Sequence, residues 1–290
     1  MRICYLVLDT VFVIIKTWVK TLREIVRRVC EHVSSTINVI VEVCNKACNK
    51  WGPFKFLCKW VCKAIERVKT VWDWVCKDVI DRFFELVLSV IEYVYYILRW
   101  VCWVIELPFR LIAMWACYLG FEPQRKIRVC VKILTDSNKK PGVPLADVDT
   151  MMSDAAKILA DCNIDLVEEE RELVVKQQYL DSTTCDVGGM FSGFFVWFSQ
   201  MQCAQPCTVT VYFVRDIVGS TIGCAYPGTN WVTIDAGGDG NTIVQEIGHL
   251  ADLLHTSDPD NVMTNKHEGT GDQITKFQCC MFRTSRFSCS

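Results

Sequence analysis

Between Ile3 and Leu119 the chain carries one glycine, Gly52, and two prolines, Pro53 and Pro108. So long a stretch with so few turn-forming residues predicts long helices broken at those points. Charges within it fall at helical spacing. Lys59, Lys63, Glu66, Asp73, Lys77 and Asp81 follow one face, and Asp78, Glu85, Glu92, Arg99 and Glu106 then recur every seventh residue among apolar and aromatic neighbours. A seven-residue polar repeat draws one narrow stripe along a helix and leaves most of its circumference apolar. Such a helix needs other helices or lipid around it. No eighteen-residue window of this region is free of charge, which argues against an ordinary membrane span. The most membrane-prone stretch, residues 86–119, holds only Glu92, Arg99, Glu106 and Arg110 as charges. Three arrangements stay open: a soluble or self-assembling helical bundle, insertion at a membrane interface, or a span whose charges pair inside a bundle.

Composition changes at about residue 122. Residues 1–122 hold 17 Lys and Arg against 12 Asp and Glu, whereas the remainder holds 14 against 21. Eight of the ten tryptophans precede residue 123 and thirteen of the fifteen glycines follow it. The polar run Glu122, Pro123, Gln124, Arg125, Lys126 marks the junction. Two regions are expected, an apolar, Trp- and Cys-rich helical region over 1–122 and a second domain over 127–290. The first region is mildly basic and would tolerate an anionic membrane, but it lacks the dense Lys/Arg clusters of a nucleic-acid binder.

Eighteen cysteines point to an oxidising destination, extracellular or membrane-associated. Arg2 precedes an apolar run that Asp9 interrupts, and no small-residue cleavage site follows. Export without a cleavable signal is therefore expected. Cys44 and Cys48 are one helical turn apart, as are Cys58 and Cys62, with Trp51-Gly52-Pro53 between the pairs. In an antiparallel hairpin centred on Pro53, Cys44 faces Cys62 and Cys48 faces Cys58, as a disulfide staple requires. Four buried thiols packing as small apolar groups remain the alternative.

The second region reads as α+β. Arg128–Leu134 alternates like a strand, and Leu145, Val148, Met151, Met152, Ala155, Ile158 and Leu159 recur at helical spacing. Residues 164–167, 173–175, 208–214 and 231–234 are further strand material. Residues 187–214 carry no charge. The Gly, Ser, Gln and Pro among them argue against a membrane helix, so 185–207 reads as a surface insertion tethered by a disulfide.

Chemistry concentrates in residues 241–263, where Gln245, Glu246, His249, Asp252, His255 and Met263 stand at fixed spacing. Glu246, His249, His255 and Met263 match the metzincin signature His-Glu-x-x-His-x-x-Gly-x-x-His with its later methionine, and the run from His255 to Met263 is similar to the matrixin branch. Two ligands four residues apart share one helix face, and a bend after the helix lets another close the site. Upstream, Gly223, Cys224, Ala225 and Tyr226 resemble the edge strand that metzincins present to substrate, and 275–287 resembles the closing helix. The resemblance covers residues 127–290 alone.

What the resemblance implies is a twisted mixed sheet, an active-site helix and a zinc-dependent endopeptidase acting on a peptide or protein, with zinc as cofactor. His249 and His255 would hold zinc and Glu246 would act as general base for a metal-activated water. Met263 would support the site from beneath. Gln245 stands where the family has its first histidine, and a neutral amide is a poor zinc ligand. Asp252 stands where the family has glycine. Asp tolerates positive φ better than most residues, so the bend survives, and a second use of its carboxylate, on the metal, stays open. His32 and His267 carry no such pattern and are expected at the surface. Three functions follow as alternatives: a zinc endopeptidase, such as an effector or toxin, weakened by Gln245; an inactive pseudopeptidase kept for peptide binding or assembly; or a membrane-active or self-assembling helical module.

Overall fold

The computed structural model describes residues 3–49, 55–186, 189–190, 192–203, 205, 207–264 and 271–289. The expected turn at Trp51-Gly52-Pro53 and His267 lie outside them. The fold is α+β. By its contacts the chain divides into Val11–Tyr93 and a second unit, Met1–Thr10 with Val94–Ser290. The compositional boundary at residue 122 lies inside that second unit.

Three long helical segments come first: α1 (Ile3–Cys48), α2 (Lys55–Trp74) and α3 (Asp81–Tyr118), the last two joined by a π-helical turn at Val75–Ile80. The break expected at Pro108 is absent, since Pro108 sits inside α3. Proline removes one helical hydrogen bond and crowds the preceding turn. Here the disulfides Cys4–Cys102 and Cys117–Cys280 anchor the helix on both sides of it.

In Val11–Tyr93, α1 runs antiparallel to α2 and the start of α3. Disulfides join Cys30 to Cys76, Cys44 to Cys62 and Cys48 to Cys58. Part of the polar stripe lies along the seam of this hairpin. Lys16 meets Glu92 at 2.7 Å, and Arg23 meets Asp81 at 3.0 Å and Glu85 at 3.7 Å. Glu92 is buried. The bulky residues between the charges consequently point outwards, among them Trp18, Phe56, Trp60, Val68 and Phe83. Among the described residues no helix is long and apolar enough to cross a membrane.

The second unit is built on a mixed sheet in the order β2-β1-β4-β7-β6, made of β1 (Arg125–Thr135), β2 (Ile164–Val175), β4 (Thr208–Phe213), β6 (Gly223–Ala225) and β7 (Trp231–Ile234). The strands β2, β1, β4 and β7 are parallel, while β6 is antiparallel and forms one edge. Short β8 (Ser288–Cys289) returns beside β1, and β3 (Thr183–Thr184) pairs β5 (Ile217–Val218) separately. Period-two alternation gives the sheet two apolar faces. Val129, Val131, Ile133, Val209, Val211 and Ile234 pack with α4 (Leu145–Ala160) and α6 (Gly240–Leu250). Every apolar position singled out in α4 from Val148 to Leu159 is buried. The α7 helix (Lys276–Thr284) follows.

The opposite face is covered by α5 (Gly193–Met201), which corrects the reading of 185–207 as a surface insertion. Phe194, Phe195 and Phe198 are buried against Tyr212, Tyr226 and Trp231, and Phe198 stacks on Tyr212 with centroids 4.4 Å apart. The apolar run is charge-free because it is a core helix. Cys185–Cys224, Cys130–Cys203 and Cys207–Cys289 tie the segment down. All eighteen cysteines are paired.

Candidate metal centre

The helix α6 begins with a reciprocal cap. Asp239 accepts from the Thr242 backbone N–H at 2.8 Å, and the Thr242 hydroxyl accepts from the Asp239 N–H at 3.1 Å. Ile243, Val244 and Ile247 then enter the core. That choice of buried face turns Gln245, Glu246 and His249 towards a cleft of about 820 Å³, which Gly223, Ala225 and His255 also line.

Past the end of α6, Asp252 has φ +67°. The Leu253 N–H closes back on the Gly248 carbonyl at 2.9 Å, the hydrogen bond of a left-handed helix terminus. This bend orients the first imidazole. His249 Nδ1 lies 2.9 Å from the Leu253 carbonyl, an acceptor only, so Nδ1 carries the hydrogen and Nε2 keeps its lone pair. His249 Nε2 is 3.0 Å from His255 Nε2, with the rings steeply inclined at 79°. Two nitrogens bound tetrahedrally to one zinc ion sit about 3.3 Å apart, given bonds of about 2.0–2.1 Å. Burial, with the neighbouring His255 as a smaller contribution, holds His249 below the usual histidine range, against the Leu253 carbonyl that favours its proton. It is therefore neutral at neutral pH.

Asp252 has partners on another helix. Its carboxylate accepts from Arg110 and, at 3.1 Å, from the Trp103 indole, while Arg110 also donates to the Ala251 carbonyl at 2.7 Å. Asp252 also lines the cleft, and there Arg110 and Trp103 of α3 engage its carboxylate. Gln245 is nearly buried and donates through Nε2 to the Thr264 carbonyl at 2.5 Å, leaving Oε1 as its other polar atom.

Glu246 is also nearly buried. A Cβ on Gly223 would come within 2.7 Å of Glu246 Oε1 and 2.6 Å of Thr242 Cγ2, so only glycine lets the edge strand pass this close to the carboxylate. Met263 is fully buried under α6, where a Cβ on Gly248 would meet its Sδ at 2.5 Å. Its turn is pinned by the paired amides of Asn261 and Gln278, at 2.8 and 2.9 Å.

Not every residue read as part of the edge strand faces the cleft. Cys224 is buried in its disulfide to Cys185. Tyr226 lies one residue past β6, and its buried hydroxyl donates to the Thr184 carbonyl at 2.6 Å. Burial, with the nearby Asp186 charge, pushes its phenol up to about 12. Arg110, Trp103 and Thr264 were not singled out from the sequence. Their partners are far away in the chain, and no local pattern announces them.

The donor set decides what ion fits. Elsewhere among the described residues, clustered candidate ligand atoms occur at Cys44, Cys48 and Cys62, and at Cys130, Glu170 and Cys203. Those sulfurs are in disulfides and offer no thiolate. At the cleft two convergent imidazoles suit zinc, but a zinc site ordinarily has three or four protein donors. Beside them, among the residues lining the cleft, Gln245 offers a neutral amide. Two imidazoles and one amide make a partial zinc donor set.

Comparison of the sequence with protein families and with curated proteins gives no match. Among solved structures, metalloproteinase-II from Bacteroides fragilis is a weak structural neighbour, with a TM-score of 0.39 and 13% identity over 58% of this chain and 56% of that one. A chaperone–substrate complex matches with a TM-score of 0.33 and 10% identity over 57% of this chain and 34% of that one. The chain thus spans between a third and just over half of the length of these structures.

Proposed function

We propose that the second unit is a zinc-dependent endopeptidase of metzincin type, working in an oxidising, extracellular setting, with its metal affinity lowered by Gln245. The observation that carries this reading is the 3.0 Å approach of His249 Nε2 to His255 Nε2 beside Glu246 in an open cleft. His249 and His255 would hold the ion, with Gln245 Oε1 as the remaining protein donor. Zinc supplies Lewis acidity that polarises a carbonyl and activates water. Glu246 would take the proton of the attacking water and pass it to the leaving amine. A peptide substrate would lie as an added strand along β6, whose outer edge lines the cleft through Gly223 and Ala225. Nine disulfides favour an oxidising destination over a reducing one.

A second reading has its own support. The Gln245 amide is engaged by Thr264, as a structural residue would be, which favours a pseudopeptidase that binds peptides without cleaving them. Cleavage of an unstructured, fluorescence-quenched peptide library by full-length oxidised protein separates the two. The endopeptidase reading expects slow, chelator-sensitive cleavage, faster in Gln245→His and abolished when Glu246→Ala is added. A Gln245→His variant that holds zinc and cleaves nothing would favour the pseudopeptidase.

A further inference from the structure

The end of the helical hairpin where α1 finishes and α2 begins has no role in the metal centre. We propose that it is a docking surface for anionic lipid headgroups, a reading independent of the one given for the cleft. At about 100° per residue, Phe56 and Trp60 stand outermost on α2, opposite the disulfide-bonded Cys58 and Cys62. Leu57, Val61 and Val68 fall on one flank, and Lys55 and Lys59 on the other, with Lys63 beside the aromatic pair. Phe56 is 70% exposed and Trp60 72%, the exposure of side chains that support no core. The hairpin does not need them, because Cys44–Cys62 and Cys48–Cys58 close it covalently.

Charge selects the occupant. Residues 42–67 carry six Lys and Arg against Glu42 and Glu66. Among the described residues Lys55, Lys59 and Lys63 make no ion pair or side-chain hydrogen bond. Two copies meeting through this patch would bring these uncompensated cations together. A nucleic acid would neutralise them but gain nothing from Leu57, Val61 and Val68. An anionic bilayer surface satisfies both halves: headgroups take the ammonium groups while the aromatic and aliphatic side chains enter the interface. With α2 lying along the surface, Phe56 and Trp60, one helical turn apart on one face, reach about the same depth.

Flotation of the full-length oxidised protein with vesicles tests this, using phosphatidylcholine alone and phosphatidylcholine with about one-third phosphatidylserine. The protein should float with the anionic vesicles at low salt, remain below with the neutral ones, and detach as salt rises. The triple variant Lys55→Glu, Lys59→Glu, Lys63→Glu should partition at least about 100-fold less, since each lost basic residue near such a surface removes a factor of about five and each new carboxylate is repelled. A separate Phe56→Ser, Trp60→Ser variant should lose about tenfold or more on the same vesicles. Equal binding to both vesicle types, unchanged binding of either folded variant, or no binding at low salt would each overturn the proposal. Self-association abolished by the aromatic pair of substitutions, without flotation, would do so in favour of a second copy. None of the five residues touches the cleft, so zinc content and cleavage should be unchanged in every variant.

Discussion

Arg110, on α3, donates to the carboxylate of Asp252, the residue at which the chain bends away from α6 with φ +67°. One side chain thus serves two requirements. Its short polar form tolerates the left-handed conformation, and its charge ties the bend to a helix 142 residues earlier in the chain. The bend carries the Leu253 carbonyl that orients His249 and leads directly to His255. Asp252→Gly should keep the turn and lose only the ion pair, whereas Asp252→Ala loses both and should be about 1–2 kcal/mol less stable than the glycine variant in urea titrations. Arg110→Ala should lower zinc affinity severalfold in competition with a chromophoric chelator while the helical content is retained.

The contact between Gly223 and Glu246 leads to a second prediction. Adding a methyl group at Gly223 collides with Glu246 Oε1 and Thr242 Cγ2. Gly223→Ala should cost about 1–3 kcal/mol through overpacking and displace the carboxylate. Any peptidase activity should fall more than zinc binding does, which parallel kinetic and metal-affinity measurements would read out.

Removing the Gln245 amide leaves the buried Thr264 carbonyl without that donor. Gln245→Ala should therefore lose about 1–3 kcal/mol of stability by chemical denaturation. Gln245→His exchanges that hydrogen bond for a better metal donor, so its stability should depend on added zinc more steeply than the parent's.

Acid should act through His249. Its folded value is depressed by burial, so the unfolded chain takes up the proton first. The corresponding stability is complete above about 6.5, the unfolded value, and is lost as pH falls from there through the folded value. Urea midpoints measured between neutral and mildly acidic pH should drop less in His249→Gln than in the parent.

Local patterns made much of this molecule readable. The 3.6-residue period exposed α4, the i and i+4 positions placed Gln245 and His249 on one face, and an Asp after the helix was compatible with a left-handed bend. Cys44, Cys48, Cys58 and Cys62 share a midpoint in sequence, and the pairs that share it are the pairs bonded. Features that rest on distant partners were silent. Nothing near Asp252 points to Arg110, and nothing near Gln245 points to Thr264. The charge-free run containing α5 could not distinguish an insertion from a core helix, because burial on the second sheet face is a property of the assembled sheet. Pro108 marked a break, but α3 runs through it between two disulfide-bonded cysteines, Cys102 and Cys117. The heptad of charges drew a stripe but not its direction; the burial of Glu92 on Lys16 shows that it turns inwards there.

Zinc stoichiometry, with X-ray absorption at the zinc edge, tests the central claim most directly. Full-length protein equilibrated with zinc should hold one ion per chain with about two imidazole nitrogens at about 2.0–2.1 Å, and His249→Ala and His255→Ala should each abolish that binding. Zinc bound equally well by both variants, or no zinc bound by the parent when Gln245→His also fails to bind it, would contradict the account.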